Sequence, residues 1–130
     1  MRVLVCGGRE YDNKNAVFAV LNEIHRVTPI DCLIHGDCPG TKDSGWVSAD
    51  RLAGRWGGMT KGVTVVAEPA KWAEHGRAAG PIRNKFMIDR YTPDLVLAFP
   101  GGAGTADCCK KAEAAGIKVI QVQQREGMCI

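Results

Sequence analysis

Aromatic residues are scarce in this chain: three Trp, two Tyr and three Phe make up 6% of its 130 residues. Histidine is scarcer still, at three. The six cysteines contain no CxxC pair and no regular framework spacing. Free thiols in a reducing cytosol are therefore expected rather than a disulfide scaffold. No run approaches the ~18 apolar residues of a membrane span, so no membrane partner is expected. Met1-Arg2 leads straight into Val3-Leu4-Val5-Cys6, which Gly7-Gly8-Arg9 cuts short. No signal peptide is read there, and a cytoplasmic location is expected. Net charge is only +3, far from the basic footprint of a typical nucleic-acid binder, which makes nucleic acid an unlikely partner. A 45% hydrophobic and 24% charged composition also excludes a disordered chain.

Glycine is what the chain has in excess. It holds 16, where an average composition of roughly 7% would supply about nine. They follow no three-residue period, so the chain is not collagen-like. Five short apolar runs recur: Val3–Cys6, Cys32–His35, Val63–Ala67, Leu95–Phe99 and Lys118–Val122. Four helical segments are expected between them. Asp12 is the expected cap of the first, with Val17, Val20, Leu21, Ile24 and Val27 along one face. The second is expected from about Val47 to Trp56, stopping at Gly57-Gly58. The third starts at Pro81, places Ile82, Phe86 and Met87 on one face and ends at Thr92-Pro93. The fourth starts near Thr105, with Gly116 at its C-terminal turn.

Nearly continuous apolar strands imply burial on both sheet faces. The expected fold is α/β: a single Rossmann-like domain over residues 1–122, its five-stranded, mainly parallel sheet carrying helices on both faces. Residues 123–130 are expected to form a tail. Right-handed crossovers would gather every βα loop at the carboxyl edge of the sheet, where such folds bind ligands.

Four of these loops carry chemistry. Pro100-Gly101-Gly102-Ala103-Gly104-Thr105 follows a strand and opens a helix, a pattern that suits a phosphate held by backbone N–H groups and the helix dipole. A tight turn would use the same glycines. It is neither a P-loop nor a GxGxxG fingerprint. Gly80, Arg83 and Asn84 start another helix, where basic residues oppose the dipole unless an anion is present. Gly7, Gly8 and Arg9 repeat the glycine-then-arginine chemistry, and His35-Gly36 closes the second strand. Residues 71–90 hold Lys71, Arg77, Arg83, Lys85 and Arg90 against Glu74 and Asp89, so the whole net surplus lies there. Cys32 and His35 fall on opposite strand faces, so no metal is expected. Cys108 and Cys109 occupy a first helical turn that can depress a thiol pKa, but no histidine base is assigned beside them. Trp56 and Trp72 are read as core or interface residues. Tyr11 is read as packing, or as flanking a base.

Residues 6–11, Ile34-His35-Gly36, Trp72, His75–Asn84 and Pro100–Asp107 together resemble the YspA-like, cpYpsA-related branch of the SLOG superfamily. The resemblance spans residues 2 to about 122. It implies a Rossmann-like fold and a pocket for a nucleotide or nucleotide-derived small molecule, with no cofactor. It also implies a possible homodimer, since related superfamily members often pair. Where relatives read a compact HGGARGAD, residues 37–48 look inserted, a candidate lid carrying Trp46 as a stacking surface. Asp50 best matches the acidic residue of that motif. The Lonely-guy branch of the superfamily cleaves bases from nucleoside monophosphates and carries a glutamate where this chain has Cys108. Asp107 is the candidate catalytic acid for an alternative reading as an N-glycosidase or phosphoribohydrolase. A nucleic-acid-binding module, suggested by the basic 71–90 stretch, is the third reading.

Overall fold

The structure is a computed structural model and describes residues 1–123. Five strands alternate with helices: β1 (Arg2–Cys6), α1 (Lys14–Val27), β2 (Cys32–His35), α2 (Ala49–Met59), β3 (Thr64–Ala67), α3 (Trp72–His75), α4 (Ala79–Tyr91), β4 (Leu95–Ala98), α5 (Ala103–Ala114) and β5 (Lys118–Gln121). A 3-10 turn, Gly76–Ala78, joins α3 to α4. All four strand ladders are parallel, in the order β3-β2-β1-β4-β5. This is the expected Rossmann-like α/β domain. Of the expected tail, everything beyond Gln123 lies outside the described residues.

The side-chain period of two divides each central strand between two cores. Val3, Val5, Leu33, Leu95 and Leu97 join Val17, Leu21, Leu52 and Trp56 beneath α1 and α2. Leu4, Cys6, Ile34, Val96 and Ala98 join Met87, Ile88, Cys108 and Ala112 beneath α4 and α5. Both faces are covered, so the apolar runs are continuous rather than alternating. The edge strands β3 and β5 are only half-buried at their centres.

Helix ends differ from expectation in ways that matter near the site. Asn13, not Asp12, caps α1, its Oδ1 accepting from Ala16 N at 3.1 Å. Ser48 caps α2 by accepting from Arg51 N at 3.2 Å. That helix runs through Gly57-Gly58: a Cβ at Gly57 would lie 2.5 Å from Val65 Cγ2, so this glycine serves close packing on β3 instead of ending the helix. α4 begins two residues ahead of Pro81, whose missing N–H falls in a first turn that has no intrahelical acceptor. Its inward face is Gly80, Asn84, Met87 and Ile88, while Ile82 and Phe86 are 45% and 47% exposed. Periodicity of apolar residues misassigned that face because glycine and asparagine occupy it. Gly116 adopts the expected left-handed turn after α5, at φ 77°.

Candidate functional site

Strand order reverses direction between β1 and β4, so the loops that follow these strands lie side by side at the carboxyl edge. Their contact is backbone on backbone. Gly8 N donates to Pro100 O at 2.9 Å. A Cβ at Gly8 would lie 2.8 Å from that oxygen, and one at Gly7 would lie 2.5 Å from Ala49 Cβ. A Cβ at Gly101 would collide with Thr105 Oγ1 and lie 2.7 Å from Gly8 N. Gly7, Gly8 and Gly101 are thus glycines because two loops and a helix must touch. Gly102 and Gly104 have no such neighbour within 4 Å among the described residues.

A cleft of about 870 Å³ opens at this edge, within the range of small-molecule sites. Its walls include Gly7, Gly8, Arg9, Gly36, Gly80, Arg83, Asn84, Pro100, Gly101, Gly102, Gly104, Thr105 and Asp107. All but one of the site residues expected from sequence therefore line one space. At one end stands the N-terminus of α5, capped by Gly102, which has no side chain to offer. The N–H groups of Gly102, Ala103, Gly104 and Thr105 donate to no protein acceptor among the described residues. Thr105, the expected start of the helix, is its third residue.

The exception is His35. Its ring is buried beneath α2, where a Cβ at Gly54 would lie 2.8 Å from Nε2. Its Nδ1 accepts from Asp37 N at 2.9 Å. Burial lowers its pKa, assisted by the Arg51 and Arg83 charges against the opposing pull of Asp37, so the imidazole is neutral at pH 7. None of the three histidines lines the cleft.

Arg83 is built in more deeply than a first-turn surface arginine. It lies in the second turn of α4, where Nη1 donates to Gly36 O at 2.7 Å and Glu68 O at 3.3 Å. Its Nε donates to Asn84 Oδ1 at 3.0 Å. The guanidinium packs so closely that a Cβ at Gly36 would overlap it. Its Nη2 donates to no protein group among the described residues. The buried Asn84 carries the chain of contacts onward, donating from Nδ2 to Asp107 Oδ2 at 3.0 Å and to Gly104 O at 3.2 Å. Lys111 Nζ donates to Asp107 Oδ1 at 2.5 Å. Burial would raise the Asp107 pKa, but the Lys111 and Asn84 hydrogen bonds and the Lys111 and Lys110 charges outweigh it, and the carboxyl sits below its ordinary value. Asp107 is therefore an ionised carboxylate at neutral pH.

A second carboxyl faces the cleft from the opposite environment. Asp50, in the first turn of α2, is 5% exposed and accepts from Cys38 N at 3.1 Å. Burial pushes its pKa up to about 6 against the lowering effects of the Cys38 N–H and Arg83. Motif resemblance matched Asp50 to an acidic residue, and the fold puts it in the cleft wall. The inserted 37–48 segment does not cover the cleft in this structure. Ser44 Oγ donates to Val47 O at 2.7 Å and Ser48 Oγ to Cys38 O at 2.5 Å, and Gly40 and Gly45 turn the chain at positive φ. The loop closes on itself; of residues 37–48 only Cys38 lines the cleft, and Trp46 stands 60% exposed outside it.

Sequence reading left Trp72 and Arg77 out of the site, yet both line the cleft, as does Tyr11. The available signal was their place in the Trp72–Asn84 block; the short helix α3 that turns Trp72 toward the cleft had no periodicity to announce it. Cys6 also reaches the cleft, while Cys108 and Cys109 lie in the core below. Hydrogen bonding with Cys108 and Cys109 raises the Cys6 pKa, and the same contact lowers that of Cys109 to about 7. Among the described residues no group of three or more His, Cys, Asp and Glu side chains is placed to hold a metal ion. Among the described residues no helix is long and apolar enough to cross a membrane.

Comparison with known proteins agrees with this architecture. Gene 61 protein of Mycobacterium phage D29 is 39% identical over 124 residues, covering 92% of this chain and 94% of that protein. The model of the "YspA, cpYpsA-related SLOG family" matches residues 1–75, which include β1, β2, their loops and Asp50. The chain belongs to the YspA, cpYpsA-related SLOG family.

Proposed function

We propose that the chain binds a nucleotide or nucleotide-derived small molecule in the carboxyl-edge cleft, as a sensor, carrier or sequestering protein. Membership of the SLOG family suggests a nucleotide-related ligand. The observation that carries the reading is the bare N-terminus of α5: four N–H groups without acceptors among the described residues belong to residues that line the cleft, as does Arg83. A phosphate satisfies these donors and the helix dipole together. Arg9 and Arg77 line the same cleft without ion-pair partners among the described residues. Calorimetric titration with nucleoside mono- and diphosphates tests the reading, and absence of binding by every member of the panel defeats it.

The ionised Asp107 in the cleft wall supports a second reading, an N-glycosidase or phosphoribohydrolase. A carboxylate held below its usual pKa suits stabilisation of an oxocarbenium-like centre rather than proton donation. Release of free base from nucleoside monophosphates, lost in Asp107→Asn, would support it; no release by the wild type would remove it. A nucleic-acid module fits poorly, because the basic 71–90 stretch is dispersed. Arg77 and Arg83 face the cleft, Lys85 pairs with Asp89 at 2.7 Å, and Arg90 lies over Tyr91. The exposed Ile82 and Phe86 of α4 suit a homodimer contact, which sedimentation of the wild type beside Phe86→Glu tests. The free state of the five described cysteines suits a cytoplasmic location, which cell fractionation tests.

A further inference from the structure

The three tryptophans have three different situations. Trp56 is buried, and its Nε1 donates to Asn22 Oδ1 at 2.8 Å, so core packing accounts for it. Trp46 is exposed on the self-closed 37–48 loop, outside the cleft. Trp72 is 55% exposed and lines the cleft. A half-exposed indole in the wall of the cleft leaves apolar surface in water that no described protein group covers.

Its placement is specific. Trp72 is the first residue of α3, a single turn whose position is set by the 3-10 turn running into α4. The far edge of its ring rests over Gly80: a Cβ there would lie 3.4 Å from Cη2. Gly80 is buried in the α4 wall of the cleft, and the indole edge stands at van der Waals contact distance from where its Cβ would be. Its Nε1 has no acceptor among the described residues. Arg77 lines the cleft one turn further along, and Tyr11 enters from the other face of the sheet, packed on Phe99 with ring centroids 5.4 Å apart. The cleft wall therefore offers chemically distinct surfaces: backbone donors at the start of α5, the Arg83 guanidinium held over the ends of β2 and β3, and exposed aromatic surface at α3 with Arg77, a cation without an ion-pair partner among the described residues.

We propose that Trp72 is the platform on which the ligand's planar base stacks, so that the site takes a ring-bearing nucleotide rather than a ring-less phosphosugar. This rests on the proposed anion site at α5 and goes beyond it by assigning the other end of the ligand. Aromatic stacking accepts any base face, so Trp72 supplies affinity, and choice among bases falls to the polar groups around it.

The test compares the four nucleoside 5′-monophosphates with ribose 5-phosphate by calorimetry, on wild type, Trp72→Ala and Trp72→Phe. At least one mononucleotide is expected to bind the wild type about tenfold or more tightly than ribose 5-phosphate. Trp72→Ala should bring that mononucleotide to the ribose 5-phosphate level while leaving ribose 5-phosphate unchanged. Trp72→Phe should keep most of the difference, and the tryptophan emission quenched by the mononucleotide in wild type should no longer respond. Equal binding of both ligand kinds to the wild type overturns the platform and leaves the anion site standing. So does an equal loss of both in Trp72→Ala, which would make Trp72 a shaper of the cleft. A change of sedimenting mass in Trp72→Ala overturns it in favour of a contact between copies. Binding of neither ligand kind overturns the platform, and the nucleotide reading falls with it only if the nucleoside diphosphates also fail to bind.

Discussion

Replacing Gly102 with Asp separates stability from ligand binding at the α5 N-terminus. Gly102 is the N-cap, at φ −102°, with no atom of the described residues within 4 Å of where a Cβ would stand. Aspartate is a better N-cap than glycine by a few tenths of a kcal/mol, because its carboxylate accepts from the first-turn N–H groups. Its charge at the positive end of the dipole adds about 0.3–1 kcal/mol. The variant should be more stable by about 0.5–1 kcal/mol, a Tm increase on the order of 2–5 °C. The same carboxylate takes the donors that a phosphate would use and repels it. At about 4 Å and an effective dielectric of about 20, that repulsion is on the order of 4 kcal/mol per pair of unit charges, so affinity should fall at least a hundredfold. Thermal unfolding and calorimetry on the same preparation measure both quantities. A variant that melts higher yet binds its nucleotide within twofold of wild type would refute the placement of the phosphate. A variant that melts lower would refute the account of the bare helix cap.

Other consequences follow from single contacts. Gly8→Ala puts a methyl 2.8 Å from Pro100 O and 3.3 Å from Gly101 Cα, both backbone; it should cost about 1–3 kcal/mol in chemical denaturation, and unchanged stability would contradict the close approach. Asn84→Ala strips Asp107, Gly104 and the Arg83 Nε of partners; a loss of about 2–3 kcal/mol is expected, with the Asp107 carboxyl resonance titrating at higher pH by NMR. Asp50 has a pKa raised from 3.8 to about 6 in the native state. Between about pH 4 and 6 the native chain keeps a proton that the unfolded chain has lost, so stability falls as pH rises through this window and levels off above it. At about 1.4 kcal/mol per unit the fall is on the order of 3 kcal/mol. The difference in unfolding free energy between wild type and Asp50→Asn should follow it, and a difference flat from pH 4 to 7 would contradict the burial of an ionisable acid.

Much of the fold is legible in the chain because the physics behind it is local. Val3–Cys6, Cys32–His35 and Leu95–Phe99 are too apolar and too short for anything but strands buried on both faces, and the segments between them suffice for parallel crossovers. The loops after β1 and β4 announce themselves by their glycines. The face of α4 is not legible: Ile82 and Phe86 repeat at helical spacing, but Gly80 and Asn84 take the interior, one for close approach and one for a hydrogen-bond network. Arg83 reads as an anion-binding cation at a helix start, and only the fold shows that its Nη1 holds two backbone carbonyls brought together when β2 and β3 pair. His35 reads as a satisfied histidine at a strand end or as a ligand contact, and its ring turns beneath α2 into the space left by Gly54, away from the cleft.

The glycine excess marks what each level decided. Sequence alone determined that glycines would gather behind strand ends, since the strands and the glycines between them are both properties of the chain. Which of them face a ligand was decided only in three dimensions. Gly7, Gly8, Gly36 and Gly101 are spent on letting backbone, helix and guanidinium touch, whereas Gly102 and Gly104 leave donors bare. The carboxyls divide likewise: the same side chain lies below its usual pKa at Asp107 and well above it at Asp50. Two cations and an amide surround the first and burial dominates the second, and neither environment exists until the sheet edge has closed.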